Sequence, residues 1–343
     1  MDPTSAELEV ARAVGMARCV DPVGAGTHRE VGGPPPRDGV RVGAPGGIVS
    51  YDPADLTVCV GAGTTVADLA CALGAEGQEC ALDPRDLGAT VGGTLAAGLS
   101  GPRRLRVGPL RDQVLEVRFA TAEGRLVRGG GPTVKNVTGY DLPRLLVGSF
   151  GTLGVLTRVI LRCRPRPPRS WWGASTDLPA RIATRCFGPS AVLWDGVTTR
   201  VLVEGNTDDV DAVAAAAGLA ECEPVALPAG EHRGRAALAA PAVAAFARDV
   251  GTMGDIRWIA EIGVGTVHVA TDTEAGLGRA RDAAHRAGGW LLREAGAPGL
   301  DGFGIELPNG GLMARVRAAF DPEAKLAPGR LPFPPPPAEG ETA

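Results

Sequence analysis

Small residues, more than acids or bases, carry the chemical signal in this chain of 343 residues. Four phrases stand in order: Gly24-Ala25-Gly26-Thr27-His28, then Gly88-Ala89-Thr90-Val91-Gly92-Gly93, then Lys135-Asn136-Val137-Thr138-Gly139-Tyr140-Asp141-Leu142, then Gly151-Thr152-Leu153-Gly154-Val155. Glycines on short turns bare backbone N–H groups and let a ligand approach the peptide closely. That is chemistry for polar, anionic ligands. The spread of the turns between Pro22 and Pro165 argues for one long ligand lying along a domain, and a dinucleotide fits that description. The first phrase does not open a long helix, because Pro34-Pro35-Pro36 follows, so a G-x-G-x-x-G nicotinamide site is disfavoured. An ordinary glycine turn remains the other reading of that phrase taken alone.

The stretch Asp83-Pro84-Arg85-Asp86-Leu87-Gly88 into Gly93 is more specific. Thr90 offers a hydroxyl, and Leu95 to Ala97 can start a short helix aimed at a phosphate. In the third phrase Asp141 is expected to cap the helix that begins at Leu142. Four histidines occur: His28, His232, His268 and His285. His268 is the one weak candidate for catalysis. Glu261 lies seven residues before it, which on an unbroken strand puts the two on opposite faces; only a kink at Gly263–Gly265 would bring them together. No metal site is expected, because three or more ligands cannot be assembled.

The elements that must position these residues follow from periodicity. Ser5 to Ala17 reads as a helix offering Leu8, Val10, Ala11 and Val14 to one face. Strands are expected at 18–22, 47–52, 56–61, 114–121, 124–128 and 154–163, with helices at 65–73 and 142–147. Pro165, Pro167 and Pro168 mark a boundary. Beyond it, strands at 170–176, 191–195, 199–204 and 222–226 and helices at 178–186 and 207–217 give the β-α-β-β-α-β ferredoxin-like order. Thr207 is the expected cap of the second of those helices. Part of the order recurs at 255–262, 266–271, 273–287 and 290–294.

Composition bounds the rest. Hydrophobic residues make up 44% and charged residues 22%, with a net charge of -4, which suits a globular protein and disfavours nucleic-acid binding. Seven scattered cysteines without a C-x-x-C pair suit reduced thiols and argue against a resident iron–sulfur cluster. With no apolar run of membrane-span length and no signal pattern at the N-terminus, a cytoplasmic protein is expected, with membrane association only through partners.

Taken together, AGLSGPRR, GPLRDQVLEVR, KNVTGYDLPRLLVGSFGTLGVL and a late LMARVRAAFDPEAKLAPGR resemble the FAD-binding domain of the p-cresol methylhydroxylase (PCMH) and vanillyl-alcohol oxidase (VAO) class, and within it the glycolate oxidase E-subunit family. The resemblance runs from about Val20 to Arg330. It implies an α+β fold: a two-subdomain FAD-binding domain over residues 1–166, a ferredoxin-like α+β cap over 167–330, and a disordered Pro-rich tail over 331–343. It implies non-covalent FAD held by Gly24, Ala25, Gly26, Thr27, His28, Pro84, Gly88, Ala89, Thr90, Gly92, Gly93, Ala97, Gly98, Gly101, Tyr140, Gly151, Thr152, Leu153, Gly154 and Val155. His28 is also a candidate for covalent attachment.

Three departures stand out: Ala25 where the family usually has Gly, His28 where Lys is common, and Ala327 where Asn is usual. Related 2-hydroxy-acid dehydrogenases gather several histidines and a carboxylate around a metal in the cap, and this chain lacks the histidines. The resemblance further implies a 2-hydroxy acid substrate, a hydride passed to flavin N5, and two partners: a paralogous FAD subunit and an iron–sulfur subunit. A stand-alone oxidoreductase of another hydroxylated substrate and a non-catalytic assembly subunit are the alternatives.

Overall fold

The computed structural model describes residues 2–132 and 140–333. The first half is built on α1 (Ser5–Met16), β1 (Val20–Pro22), β2 (Val40–Val42), β3 (Ile48–Asp52), β4 (Thr57–Gly61), α2 (Val66–Gly74), β5 (Gln78–Glu79), α3 (Val91–Ala97) and α4 (Arg104–Val107). It continues through β6 (Val114–Ala120), β7 (Leu126–Gly130), α5 (Leu142–Leu146), β8 (Val155–Arg162) and β9 (Arg164–Pro165). Among the described residues β3, β4, β8, β6 and β7 pair in that order into an antiparallel sheet, while β1 and β2 form a separate parallel pair. Alternate residues such as Val58, Val60, Val117, Phe119, Val159 and Leu161 are buried, and α2 and α3 close over them with Leu69, Leu73 and Leu95.

Local chemistry sets the helix starts. Thr4 and Glu7 form a reciprocal capping box on α1, Thr65 caps α2, Thr90 caps α3 and Asp141 accepts from Arg144 N to cap α5. On α1 the buried set is Glu7, Val10, Ala11 and Val14, while Leu8 is exposed, contrary to the apolar face expected from sequence. Glu7 goes inside because Arg158 and Arg118, on β8 and β6, meet its carboxylate there.

The second half carries β10 (Arg169–Ser175), α6 (Pro179–Ala183), β11 (Ala191–Trp194), β12 (Thr199–Gly205), α7 (Thr207–Ala217), β13 (Ala220–Glu221), β14 (His232–Ala237), α8 (Val243–Gly251), β15 (Ile256–Glu261), β16 (Thr266–Thr271), α9 (Glu274–Arg286), β17 (Trp290–Ala295) and α10 (Gly310–Phe320). Its sheet runs β13-β10-β12-β11-β15-β16-β14-β17. This is two complete ferredoxin-like units, joined where β11 pairs with β15. The second unit is whole, with β14 and α8 supplying the strand and helix that sequence reading lacked. The strand expected at 222–226 is instead β13, and α7 starts from Asn206 with no side-chain cap, so Thr207 is its first residue.

Helices cover one face of this sheet. Ala236, Val267, Val269 and Leu291 point to α8 and α9, packing with Phe246, Val250, Leu277 and Ala280. The two-residue alternation therefore sends Arg235, His268 and Glu294 to the other face, which meets the first half of the chain. After α10, Phe320 stacks on Phe119, and Leu326 bridges to Val20. Leu331 is buried, packed with Val31, Leu292 and Phe303, so ordered chain continues into the segment expected to be a disordered tail. Residues 334–343 lie outside the described ones.

Candidate functional site

A solvent-open cleft runs between the β1–β2 pair and the five-stranded sheet. About half of the residues lining it are Gly or Ala. From the sequence-predicted set it gathers Gly24, Ala25, Gly26, Thr27, His28, Thr90, Gly92, Gly93, Ala97, Gly151, Gly154 and Val155. Three separate phrases thus converge on one cleft.

The cleft needs its glycines for definite reasons. A Cβ at Gly24 would overlap Thr90 Oγ1, so the first turn lies directly on the cap of α3. Gly26 has φ +83°, in the left-handed region, with nothing within 4 Å of a built Cβ. Ala25 does not take a positive φ, so its methyl costs no backbone strain. Thr90 Oγ1 accepts from Gly93 N at 3.1 Å, which occupies the hydroxyl as a helix cap.

The first turn is held from three sides. Arg330 donates to the carbonyls of Arg29 (2.6 Å) and Gly33 (3.0 Å), and its guanidinium lies 5.6 Å from the Phe150 ring centroid. Burial pushes Arg330 down to about 10. Arg293, on β17, donates to Gly32 O at 2.9 Å, and Glu30 accepts from Gly296 N at 2.6 Å. Thr27 Oγ1 contacts His28 Nδ1 at 3.0 Å, and burial lowers the His28 pKa, so the ring stays neutral near pH 7.

Several expected contacts fall elsewhere. Ala89 and Thr152 are fully buried and Leu153 nearly so, all outside the cleft lining. Gly101 is packed against Asp83, Gly98 is the left-handed cap of α3 against Gly148, and Pro84 and Gly88 also lie outside it. Tyr140 is 91% exposed and does not line the cleft. Lys135 to Gly139 lie outside the described residues.

Sequence reading missed Ala44, Ala62, Gly63, Ala96, Ser149 and Phe150. Gly61-Ala62-Gly63, between β4 and α2, was a legible signal of the same small-residue type. Phe150 was not legible, because its role follows from φ +54°, a conformation its residue type does not announce.

A second cluster sits on the sheet face opposite the helices. His268 Nε2 lies 2.5 Å from Glu261 Oε1, and both side chains are almost fully buried. The expectation of opposite faces fails because a tight turn at 262–265 separates them onto two strands. Ile259 pairs with His268, which makes Glu261 its diagonal neighbour on the same face. Beside them Arg235 Nε donates to Glu294 Oε1 at 2.8 Å, and Arg235 Nη1 donates to Ser100 O at 2.8 Å, crossing to the α3 side of the cleft. Burial opposes the Glu294 charge, but Arg235 and the nearby His268 and Arg85 hold it below the ordinary carboxylate range. Burial lowers the His268 pKa against the opposing pull of Glu261.

A family-type cap metal does not fit here. Glu294 is committed to a guanidinium, and Glu261 and His268 are committed to each other. Among the described residues no group of three or more His, Cys, Asp or Glu is placed to hold a metal.

With this geometry in place, similarities to known proteins can be weighed. Residues 3–130 match the FAD binding domain family. Over 126 residues the chain is 47% identical to "Glycolate oxidase subunit GlcE" of Escherichia coli, spanning 36% of each protein. It is 37% identical over 121 residues to "Glycolate oxidase subunit GlcD" of Bacillus subtilis, 35% of this chain and 26% of that one. It is also 37% identical over 144 residues to "D-lactate dehydrogenase" of Archaeoglobus fulgidus, 42% of this chain and 32% of that one. These matches span about a third of the relatives' lengths. A solved structure of alkyldihydroxyacetonephosphate synthase superposes with a TM-score of 0.64 over 93% of this chain and 74% of that one, at 14% identity. That likeness concerns the fold alone, an α+β architecture shared across nearly the whole chain.

Proposed function

From an FAD-binding domain at residues 3–130 in a chain of this fold, we propose that the protein is the FAD-binding subunit of a glycolate or related 2-hydroxy-acid oxidoreductase. The observation that carries the reading is the convergence of three glycine phrases on one elongated cleft, with His28 at its edge near Arg235 and Glu294. The cleft residues fit FAD: the backbone of Gly24 to Thr27 would offer amides to a pyrophosphate, and Gly92, Gly93, Gly151 and Gly154 add side-chain-free backbone to the wall. Bound FAD would accept a hydride at its ring N5.

This chain's own groups supply the remainder. His268 is the candidate acceptor of the substrate hydroxyl proton, and it is neutral at pH 7 as a base must be. Arg235 places positive charge beside it. Residues 1–166 are the proposed flavin domain and 167–330 the proposed cap. The partners are a paralogous flavoprotein subunit and a separate iron–sulfur subunit that takes the electrons. No described helix is long and apolar enough to cross a membrane.

The test is anaerobic mixing of the FAD-loaded chain with glycolate and D-lactate, alone and with its partner subunits, while following the flavin absorption band. Bleaching is the expected result. If the chain binds FAD but no 2-hydroxy acid bleaches it in either setting, the substrate reading fails. Bleaching without any partner would favour stand-alone catalysis.

A further inference from the structure

We propose that Glu261 is a positioning residue that fixes one tautomer of His268, so that His268 Nδ1 is presented as a bare proton acceptor in a site that works without a metal. The role rests on the reading of a hydroxylated substrate oxidised at this cap. The geometry stands without that reading.

A carboxylate oxygen offers only lone pairs, so at 2.5 Å the proton between the two groups sits on His268 Nε2 and is donated to Glu261 Oε1. In a neutral imidazole the other nitrogen is then an acceptor. His268 Nδ1 has no hydrogen-bond partner among the described residues, and neither does Glu261 Oε2. The ring is 1% exposed, and a buried polar atom left unpaired costs roughly 1–3 kcal/mol. Such an orphan is tolerable where a ligand hydroxyl or a water completes it. The charged groups around the ring are Glu261 on β15, Arg235 on β14 and Glu294 on β17, with Arg85 and His28 of the first half acting on Glu294. Glu294 is neutralised by Arg235, which leaves Glu261 as the one carboxylate bonded to the imidazole.

The step balances. The substrate O–H proton passes to Nδ1, making an imidazolium that Glu261 stabilises, and the C2 hydride with its electron pair leaves to the flavin as the C–O bond becomes a carbonyl. The acceptor works only when unprotonated, so the rate falls as pH drops through the lowered His268 pKa.

Two measurements decide the matter. Nitrogen-15 histidine spectra of the full FAD-loaded chain, assigned by loss of the His268→Gln signal, read the tautomer with no substrate present. The expected state is protonated Nε2 and bare Nδ1, and a proton on Nδ1 at neutral pH overturns the proposal. Stopped-flow flavin reduction then compares the parent with Glu261→Gln, both at saturating FAD. The variant should lose at least about 10-fold in the reduction rate and move its acidic limb to lower pH, with FAD affinity and substrate KM little changed. A parental rate and pH profile in the variant overturns the proposal, as does loss of reduction on treating the parent with a chelator. If the parent's flavin is reduced by no hydroxy acid, the substrate reading falls while the tautomer measurement still judges the pair.

Discussion

At the scale of single residues, the cleft is a surface of peptide bonds kept bare by steric need. Gly24 is the sharpest case, because any side chain there must displace the Thr90 cap. Gly24→Val should therefore weaken FAD binding more than about 10-fold and cost about 1–3 kcal/mol of stability, read by flavin fluorescence titration and urea unfolding. Gly26→Ala meets no atom, so only its positive φ is penalised. It should cost about 1 kcal/mol and leave affinity nearly intact. Ala327 holds φ +42° on the cleft wall, a left-handed conformation that Gly and Asn adopt more readily than Ala. Ala327→Gly should raise stability by roughly 0.5–1 kcal/mol in the same unfolding measurement.

At the scale of elements, α1 is fastened to the five-stranded sheet by a buried carboxylate. Glu7 reaches Thr4, Thr157 and Arg158 from a position 1% exposed. Glu7→Ala removes the buried carboxylate that Arg118 and Arg158 share and should cost about 3–5 kcal/mol by urea unfolding. Sequence periodicity offered Leu8 for this face because a lone Glu reads as solvated. The partners that bring Glu7 inside, Arg118 and Arg158, lie far along the chain, beyond any local pattern. The same limit hid β14, whose alternating Arg233, Gly234, Arg235 and Ala236 have no β-branched residue to announce a strand. The first ferredoxin-like unit was legible because Val, Leu and Trp mark its strands. The hairpin that joins Glu261 to His268 was misread because Gly263 and Gly265 were taken as a kink within a strand, when positive φ at both makes them a chain reversal.

At the scale of the whole molecule, the two halves are tied by a network of acids and arginines. Arg103 meets Asp83 at 2.5 Å and Glu79 at 2.9 Å within the first half, and Glu204 of β12 at 3.3 Å across the boundary. Arg164 meets Glu79 at 2.6 Å and Glu204 at 3.4 Å. Burial works against the Glu79 charge, yet Arg103 and Arg164 outweigh it and hold its carboxyl below the ordinary range. A depressed carboxylate contributes stability above its unfolded pKa, near 4.3, and loses it as pH falls through the lower folded value. Hydrogen exchange at β10 and β12 should accordingly rise below about pH 4, and Arg103→Met should bring that rise to neutral pH while the isolated sheets stay protected. The α+β plan and the run of glycine phrases were legible in sequence. Which members of those phrases face the cleft was not, because Ala89, Gly101 and Thr152 share the residue types of their neighbours and differ only in where the tertiary fold turns them.

The most direct test of the account is an FAD titration of the purified full chain, freed of flavin and followed by its visible spectrum, with Gly24→Val in parallel. The account predicts that the parent takes up FAD with a flavin spectrum shifted by an apolar environment and that the variant binds at least about 10-fold more weakly. A folded parent chain that stays colourless at saturating FAD, or a Gly24→Val variant that binds as tightly as the parent, would contradict it.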